Sequence, residues 1–254
     1  MTLLLIGLLL AFVLGFSLHR AGICTLAAVA ELFSTRRAFM LWSFVKTIIW
    51  IWVVSVLLML LVPGQSQPWL SYPLTWQALA GGMLFGIGST INGGCAFSTV
   101  TKLAQGRLQM ALTLPAFMGG VKTYSIYFTT MLSTPDFDIS KPFGWLVAAI
   151  LMLWVAWESR GLLRAFRSRR SLKRYLFARR YRLSTAAAVI GISNGFLYAI
   201  YGRWSYASSL MEQVAPVTHA ATSSAHLHLY LFLAVLAGAF VSALRSGRFS
   251  LSLA

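Results

Sequence analysis

The sequence predicts an all-α fold: a polytopic helical membrane protein with about seven spanning helices and short re-entrant helices among them. Three observations predict it. Hydrophobic residues fill 58% of the 254 positions and charged residues only 10%, where a soluble domain carries about 25% charged residues. Apolar runs recur along the whole chain, several of them long enough to cross a hydrocarbon layer of roughly 30 Å. Basic residues gather between those runs, where they set orientation. A soluble protein would have to bury several such runs at once.

The runs lie at 3–18, 38–62, 76–92, 109–132, 143–159, 184–203 and 227–246. The first is read as a membrane segment, not a signal peptide. It lacks a basic start, and Ile23 before Cys24 does not suit a small-residue cleavage site. The chain is expected to form one transmembrane domain over 1–254. A first repeat covers about 3–62, a second about 76–132 and a degenerate third about 184–246.

Net charge is +16, and the acidic residues are Glu31, Asp136, Asp138, Glu158 and Glu212. In a soluble protein that balance would suggest nucleic acid. Here the charge flanks apolar runs, and no zinc-finger or helix-turn-helix spacing accompanies it. The expected partner is membrane lipid, not nucleic acid. Between Arg160 and Arg182 the basic residues are Arg160, Arg164, Arg167, Arg169, Arg170, Lys173, Arg174, Arg179, Arg180 and Arg182. The positive-inside rule makes loop 160–182 cytoplasmic. Its Leu163, Phe166, Leu172 and Leu176 could form an apolar stripe on the membrane surface. Stretches 63–75 and 133–142 then fall outside, as does the N-terminus. Arg36, Arg37, Lys102 and Arg107 fall inside. This assignment is consistent only if the elements around Cys24 and Cys95 enter the membrane without crossing it.

Those elements repeat. Shifting "GFSLHRAGICTLAAVAE" by 71 residues superposes it on "GIGSTINGGCAFSTVTK". Gly15 meets Gly86, Gly22 meets Gly93, Cys24 meets Cys95 and Arg36 meets Arg107. A weaker third copy, "NGFLYAIYGRWSYASS", keeps the glycine spacing with Gly195 and Gly202 and puts Trp204 where the thiols stood. One span separates the second and third copies, so the third is expected inverted, a common transporter plan.

Each strong copy reads as an apolar helix, a glycine-rich break, a cysteine and a short helix. Irregular backbone at membrane depth is tolerated where it is buried in protein or lines a cavity. The cysteine then stands at a helix N-terminus, where free N–H groups and the dipole favour an anion and thiolate over thiol. Two such ends facing each other would form a small anion site lined by sulfur. The residues expected to bind substrate are Cys24, Cys95, Gly22, Gly93, Gly94, Asn92 and Arg20. Asn92 would orient backbone or ligand. Arg20 has two readings, contact with the anion or snorkelling to the surface. A lone membrane cysteine is ordinarily a small packing residue; the matched pair is what points to function. A redox thiol pair is the rival reading, although no C-x-x-C spacing supports it.

Lys46 and Lys122 fall inside predicted spans, where lysine suggests function unless it snorkels. His219, His226 and His228 flank the last span and read as an external loop rather than a metal site. No zinc-protease, phosphate-loop or nucleophile-elbow motif is present. The carboxylates are scattered, and none lies within a predicted span interior. No enzyme activity and no cofactor or metal is expected.

The motifs "GFSLHRAGIC" and "GIGSTINGGCAFSTVTKLAQGR", with "YGRWSYASS" and "GAFVSALRSGRF" in support, resemble the YeeE/YedE family of bacterial membrane proteins. That family is associated with uptake of sulfur compounds such as thiosulfate, and the resemblance covers most of the chain. It implies an hourglass of spanning and re-entrant helices in the bacterial inner membrane. It also implies a constriction where Cys24 and Cys95 pass thiosulfate by S–H hydrogen bonds, with a cytoplasmic TusA-like sulfur carrier as receiver. Longer members continue past the "GRF" segment into another glycine–cysteine motif that this chain, ending at Ala254, does not show. A homo-oligomer, a second subunit or loss of transport are the corresponding expectations.

Overall fold

The computed structural model describes residues 2–61, 75–127, 142–166, 178, 180–202, 204 and 222–252. Over these it is helical, with an isolated bridge between Arg107 and Ser252 as its β pairing. The helices are α1 (Thr2–Ala21), α2 (Thr25–Thr35), α3 (Phe39–Leu61), α4 (Trp76–Ile91), α5 (Ala96–Ala104), α6 (Gln109–Tyr127), α7 (Pro142–Phe166), α8 (Leu183–Tyr201) and α9 (Thr222–Ser246). Each of the predicted spans lies on one of them. Stretch 63–74, stretch 133–141, His219 and most of the basic loop lie outside the described residues. Among the described residues, Thr2–Thr35, Phe39–Leu58, Leu183–Tyr201 and Leu227–Ser246 are long and apolar enough to cross a membrane.

Two boundaries differ from the sequence reading for local reasons. The first helix does not stop at 18. It carries His19 and Arg20 inside its last turn, because both are buried against partners described below. The fifth run continues to Phe166, so Glu158 stands inside a helix and not at its end.

The core is made by α1, α3, α8 and α9. Helix α1 runs antiparallel to α8: the Tyr201 hydroxyl donates to Leu3 O at one end, and Tyr181 N–H donates to Arg20 O at the other. Helix α3 runs parallel to α8, with Lys46 beside Ser184 and the Ser55 hydroxyl on Gly195 O. Helix α9 runs parallel to α1, pairing Ser242 with His19. Glycines allow these approaches. A side chain on Gly15 would strike the Val235 carbonyl, and one on Gly238 would strike that of Phe12. Gly191 and Gly195 seat Trp50 and Val54 of α3 in the same manner. Small residues at membrane helix contacts act this way because lipid tails give no hydrophobic drive for association, so close packing must supply it.

Outer positions such as Leu9, Leu153 and Trp157 are largely exposed. An apolar surface of this extent suits contact with lipid tails. Helix α4 has no buried residue. It begins where the Thr75 hydroxyl accepts Ala78 N–H, and α3 begins where Glu31 Oε2 accepts Met40 N–H at 3.0 Å. Glu31 is therefore a helix-capping acid.

The α1/α9 contact separates two glycines that the repeat equates, since open space surrounds Gly86. Gly15→Val should lower stability by about 1–3 kcal/mol through overpacking. Gly86→Ala should be neutral or slightly stabilising through helix propensity. Thermal unfolding of both variants in detergent checks this; equal losses would refute the packing assignment.

Candidate functional site

Both cysteines follow a glycine that ends a helix in the left-handed conformation. Helix α1 closes with Gly22 at φ 61°, its N–H donating to Leu18 O at 3.1 Å. Helix α4 closes with Gly93 at φ 66°; Gly93 N–H donates to Thr90 O and Gly94 N–H to Ser89 O. The second pattern is a Schellman motif and the first its single-bond relative. Two residues later the chain is extended, at Cys24 and at Cys95, and a new helix starts. The segment around Gly202 shares only the positive φ: Gly202 ends α8 at φ 77° and ψ −150°, outside the left-handed region, two residues before Trp204. Trp204 is buried, and its indole donates to His228 O at 3.4 Å.

The fold brings the two cysteines together from a sequence separation of 71 residues. Both are free and buried, and their thiols lie beside each other. Neither sulfur caps its own helix. Instead Cys95 Sγ crosses to the other copy and accepts Thr25 N–H, the first amide of α2, at 3.4 Å. The sulfur that leads α5 thus meets the N-terminus of α2.

Cavities adjoin the pair. Ile23, beside Cys24, lines a largely apolar cavity of about 210 Å³ with Phe97, Val100, Trp204, Thr47 and Asn194. Gly94 and Ala96, on either side of Cys95, line a second of about 200 Å³ with Ser89, Asn92, Thr99 and Thr113.

Asn92 caps α4 and holds the second turn. Its amide donates to Gly94 O at 3.2 Å and to Thr99 Oγ1 at 2.8 Å, and its carbonyl accepts from the Thr113 hydroxyl at 2.9 Å. It joins α4, α5 and α6. Gly94 is buried, and a side chain there would press on Ser98. Lys102 folds back from the last turn of α5 and donates to Gly93 O at 2.5 Å, which puts a cation beside the turn.

Arg20 lies apart from this cluster. It is 3% exposed, donates through Nε to Ser242 Oγ at 3.1 Å and through its terminal nitrogen to Ala178 O, and stands 5.0 Å from the centre of the Phe16 ring. Its contacts go to α9, to the approach to α8 and to its own helix. His19 sits between Ser242 Oγ at 2.9 Å and the Gln105 amide at 3.1 Å. The Gln105 carbonyl in turn accepts Ser250 N–H. Sequence reasoning missed Thr99, Thr113 and Lys102. Thr99 had a faint signal, since it follows Cys95 by one helical turn. Thr113 had none, because only the packing of α6 against α5 brings it to Asn92. Among the described residues no His, Cys, Asp and Glu group could hold a metal ion.

These features define a class: an all-α membrane-type protein whose interior carries two cysteine-led helix starts. Comparison with known families matches residues 20–254 to the family described as sulphur transport. The chain belongs to the YeeE/YedE family of sulfur transport proteins. A comparison with curated proteins returned no match.

Gly93→Ala places a β-carbon in the left-handed region, at a cost of about 1–2 kcal/mol. It should lower the unfolding temperature and expose Cys95 to maleimide. Asn92→Ala should do the same by freeing three hydrogen bonds. Labelling no faster than in the unchanged protein would refute the turn's role in sheltering the thiol.

Proposed function

We propose that the chain is a permease for a small sulfur-containing anion, thiosulfate first, and that Cys24 and Cys95 form its constriction. The observation that carries this reading is the crossed contact, Cys95 Sγ on Thr25 N–H with the Cys24 thiol beside it. Helix N-termini favour negative charge. The N–H of Thr25 is satisfied at rest by sulfur, which is a weak acceptor. An arriving oxyanion, a stronger acceptor, displaces that sulfur at little cost. The freed thiol then turns its S–H toward the anion.

Weak S–H donors hold the anion without trapping it, as conduction requires. The two cavities serve as approaches to the thiol pair. Gly22, Gly93 and Gly94 set the aperture by leaving backbone where side chains would stand. Asn92 fixes the second turn, and the Lys102 ammonium draws the anion toward it. Arg20 acts at a distance by holding the end of α1 that positions Gly22. A cytoplasmic sulfur carrier would receive the product at the basic face of the inner membrane.

A second reading keeps one specific observation in its favour. Two free thiols in contact can also be a redox pair or a persulfide carrier. Mass spectrometry after exposure to substrate separates the two: unmodified thiols during sustained flux favour the permease, and a persulfide or a Cys24–Cys95 disulfide favours covalent chemistry.

Cys24→Ala and Cys95→Ala should each abolish thiosulfate-dependent growth of an uptake-deficient host while membrane insertion persists. Full growth with both cysteines replaced would refute the thiol constriction. Purified protein in liposomes should carry thiosulfate flux without a second polypeptide; flux that appears only on adding a partner would assign the chain as a subunit.

A further inference from the structure

Apart from the thiols, a partly buried ion pair joins three helices. Lys46 Nζ of α3 lies 2.5 Å from Glu158 Oε1 of α7, with side chains 18% and 10% exposed. From α8 the Ser184 hydroxyl donates to the same oxygen at 3.0 Å and accepts from Lys46 at 3.1 Å. Lys46 also stands 5.7 Å from the centre of the Trp154 ring. The other oxygen, Glu158 Oε2, is buried and accepts no hydrogen bond. One turn along α3 from Lys46, the buried Trp50 indole N–H donates none. Among the described residues these are the unpartnered buried side-chain polar atoms, one acceptor and one donor, on helices that pack around one apolar cluster.

A carboxylate inside a membrane helix bundle is costly and by default marks function. This one is held by two donors through one oxygen and bare at the other. The bare oxygen can take a proton without displacing an existing hydrogen bond. The neighbouring α3 residues Thr47, Ile48 and Ile51, with Ile190 and Asn194 of α8, line the cavity beside Cys24. Lys46, which holds the carboxylate, immediately precedes Thr47 of that lining on α3.

We propose that Glu158 is a proton-binding site that couples proton movement to passage of the sulfur anion; this rests on the permease reading. In one state Glu158 is ionised and its pair with Lys46 is neutral overall. In the other a proton is bound at Oε2, Lys46 keeps its charge, and the site gains one positive charge. An anion in the cavity meets that charge through weakly screening protein. Each ligand then favours the other, as linkage requires. Glu158 faces Lys46 from α3 and Ser184 from α8. The exposed Arg182 precedes Ser184 by two residues, and Arg160 follows Glu158 by two on α7.

The test uses the full chain in proteoliposomes with thiosulfate. The unchanged protein should take up anion faster when the destination side is made alkaline, and a pH-sensitive dye should report protons travelling with it. In Glu158→Gln the ratio of uptake with and without the pH gradient should fall to unity. Glutamine keeps an acceptor for Lys46 and Ser184, so folding is expected to survive. Infrared difference spectra of purified protein between alkaline and acid pH supply a readout that needs no transport. A protonated-carboxyl band should be lost in Glu158→Gln and shifted in frequency in Glu158→Asp, which also serves if the glutamine variant does not insert. An unchanged gradient ratio, or an unchanged band in both variants, overturns the proposal. Absence of thiosulfate flux in the unchanged protein at every pH overturns the permease reading instead, and the infrared band then decides the proton site alone.

Discussion

The thiol turn depends on two helices stopping in the left-handed conformation two residues short of a cysteine. Gly22 and Gly93 both do this. Any other L-residue would carry a β-carbon into the following carbonyl. The stop closes Leu18 O on α1 and Ser89 O and Thr90 O on α4, turns the chain, and begins a new helix whose first amides have no partner within it. The first amide of α2, Thr25 N–H, is what Cys95 Sγ meets. Were either helix to continue, the thiol would project from its side as a packing residue, and no N-terminus would face it.

The surrounding bundle keeps the two turns in register. Helix α1 is pressed on α9 at Gly15 and Gly238, and its end is pinned by Arg20 and His19 to Ser242. Gln105 joins that pin to the far end of α5, the helix that Cys95 begins. The position of Cys24 is thus tied to that of Cys95 through buried hydrogen bonds, which are strong constraints where water does not compete. Arg20 matters to this arrangement as a clamp, joining the end of α1 to Ser242 of α9 and to Ala178 O.

Basic groups collect at the same end of the bundle. The end of α1, the start of α8, the end of α9 and the α5–α6 turn meet there through Tyr181, Ser242, Ser250 and Ser252. Arg107, Arg180, Arg182, Arg245 and Arg248 belong to these segments. Such one-sided charge is what the positive-inside rule describes. An anion would meet favourable potential at that face.

The membrane class, the helix positions and the cysteine–glycine elements were legible in the sequence, because composition and spacing act locally. A long apolar run must be helical in lipid, and a glycine that ends a helix does so through its own backbone freedom. The sequence also paired Gly15 with Gly86, although only Gly15 packs against another helix. It left Arg20 with two readings, and the fold gave it a third, since its partners Ser242 and Ala178 are more than 150 residues away. It placed Glu158 at a span's edge, where the longer α7 and the packing of α3 and α8 give it a partly buried ion pair with Lys46. Sequence by itself determined which residues could end a helix, carry a thiol or carry a charge. Tertiary structure alone decided which of them meet, because a contact between distant helices depends on how their faces pack and not on any local preference of the chain.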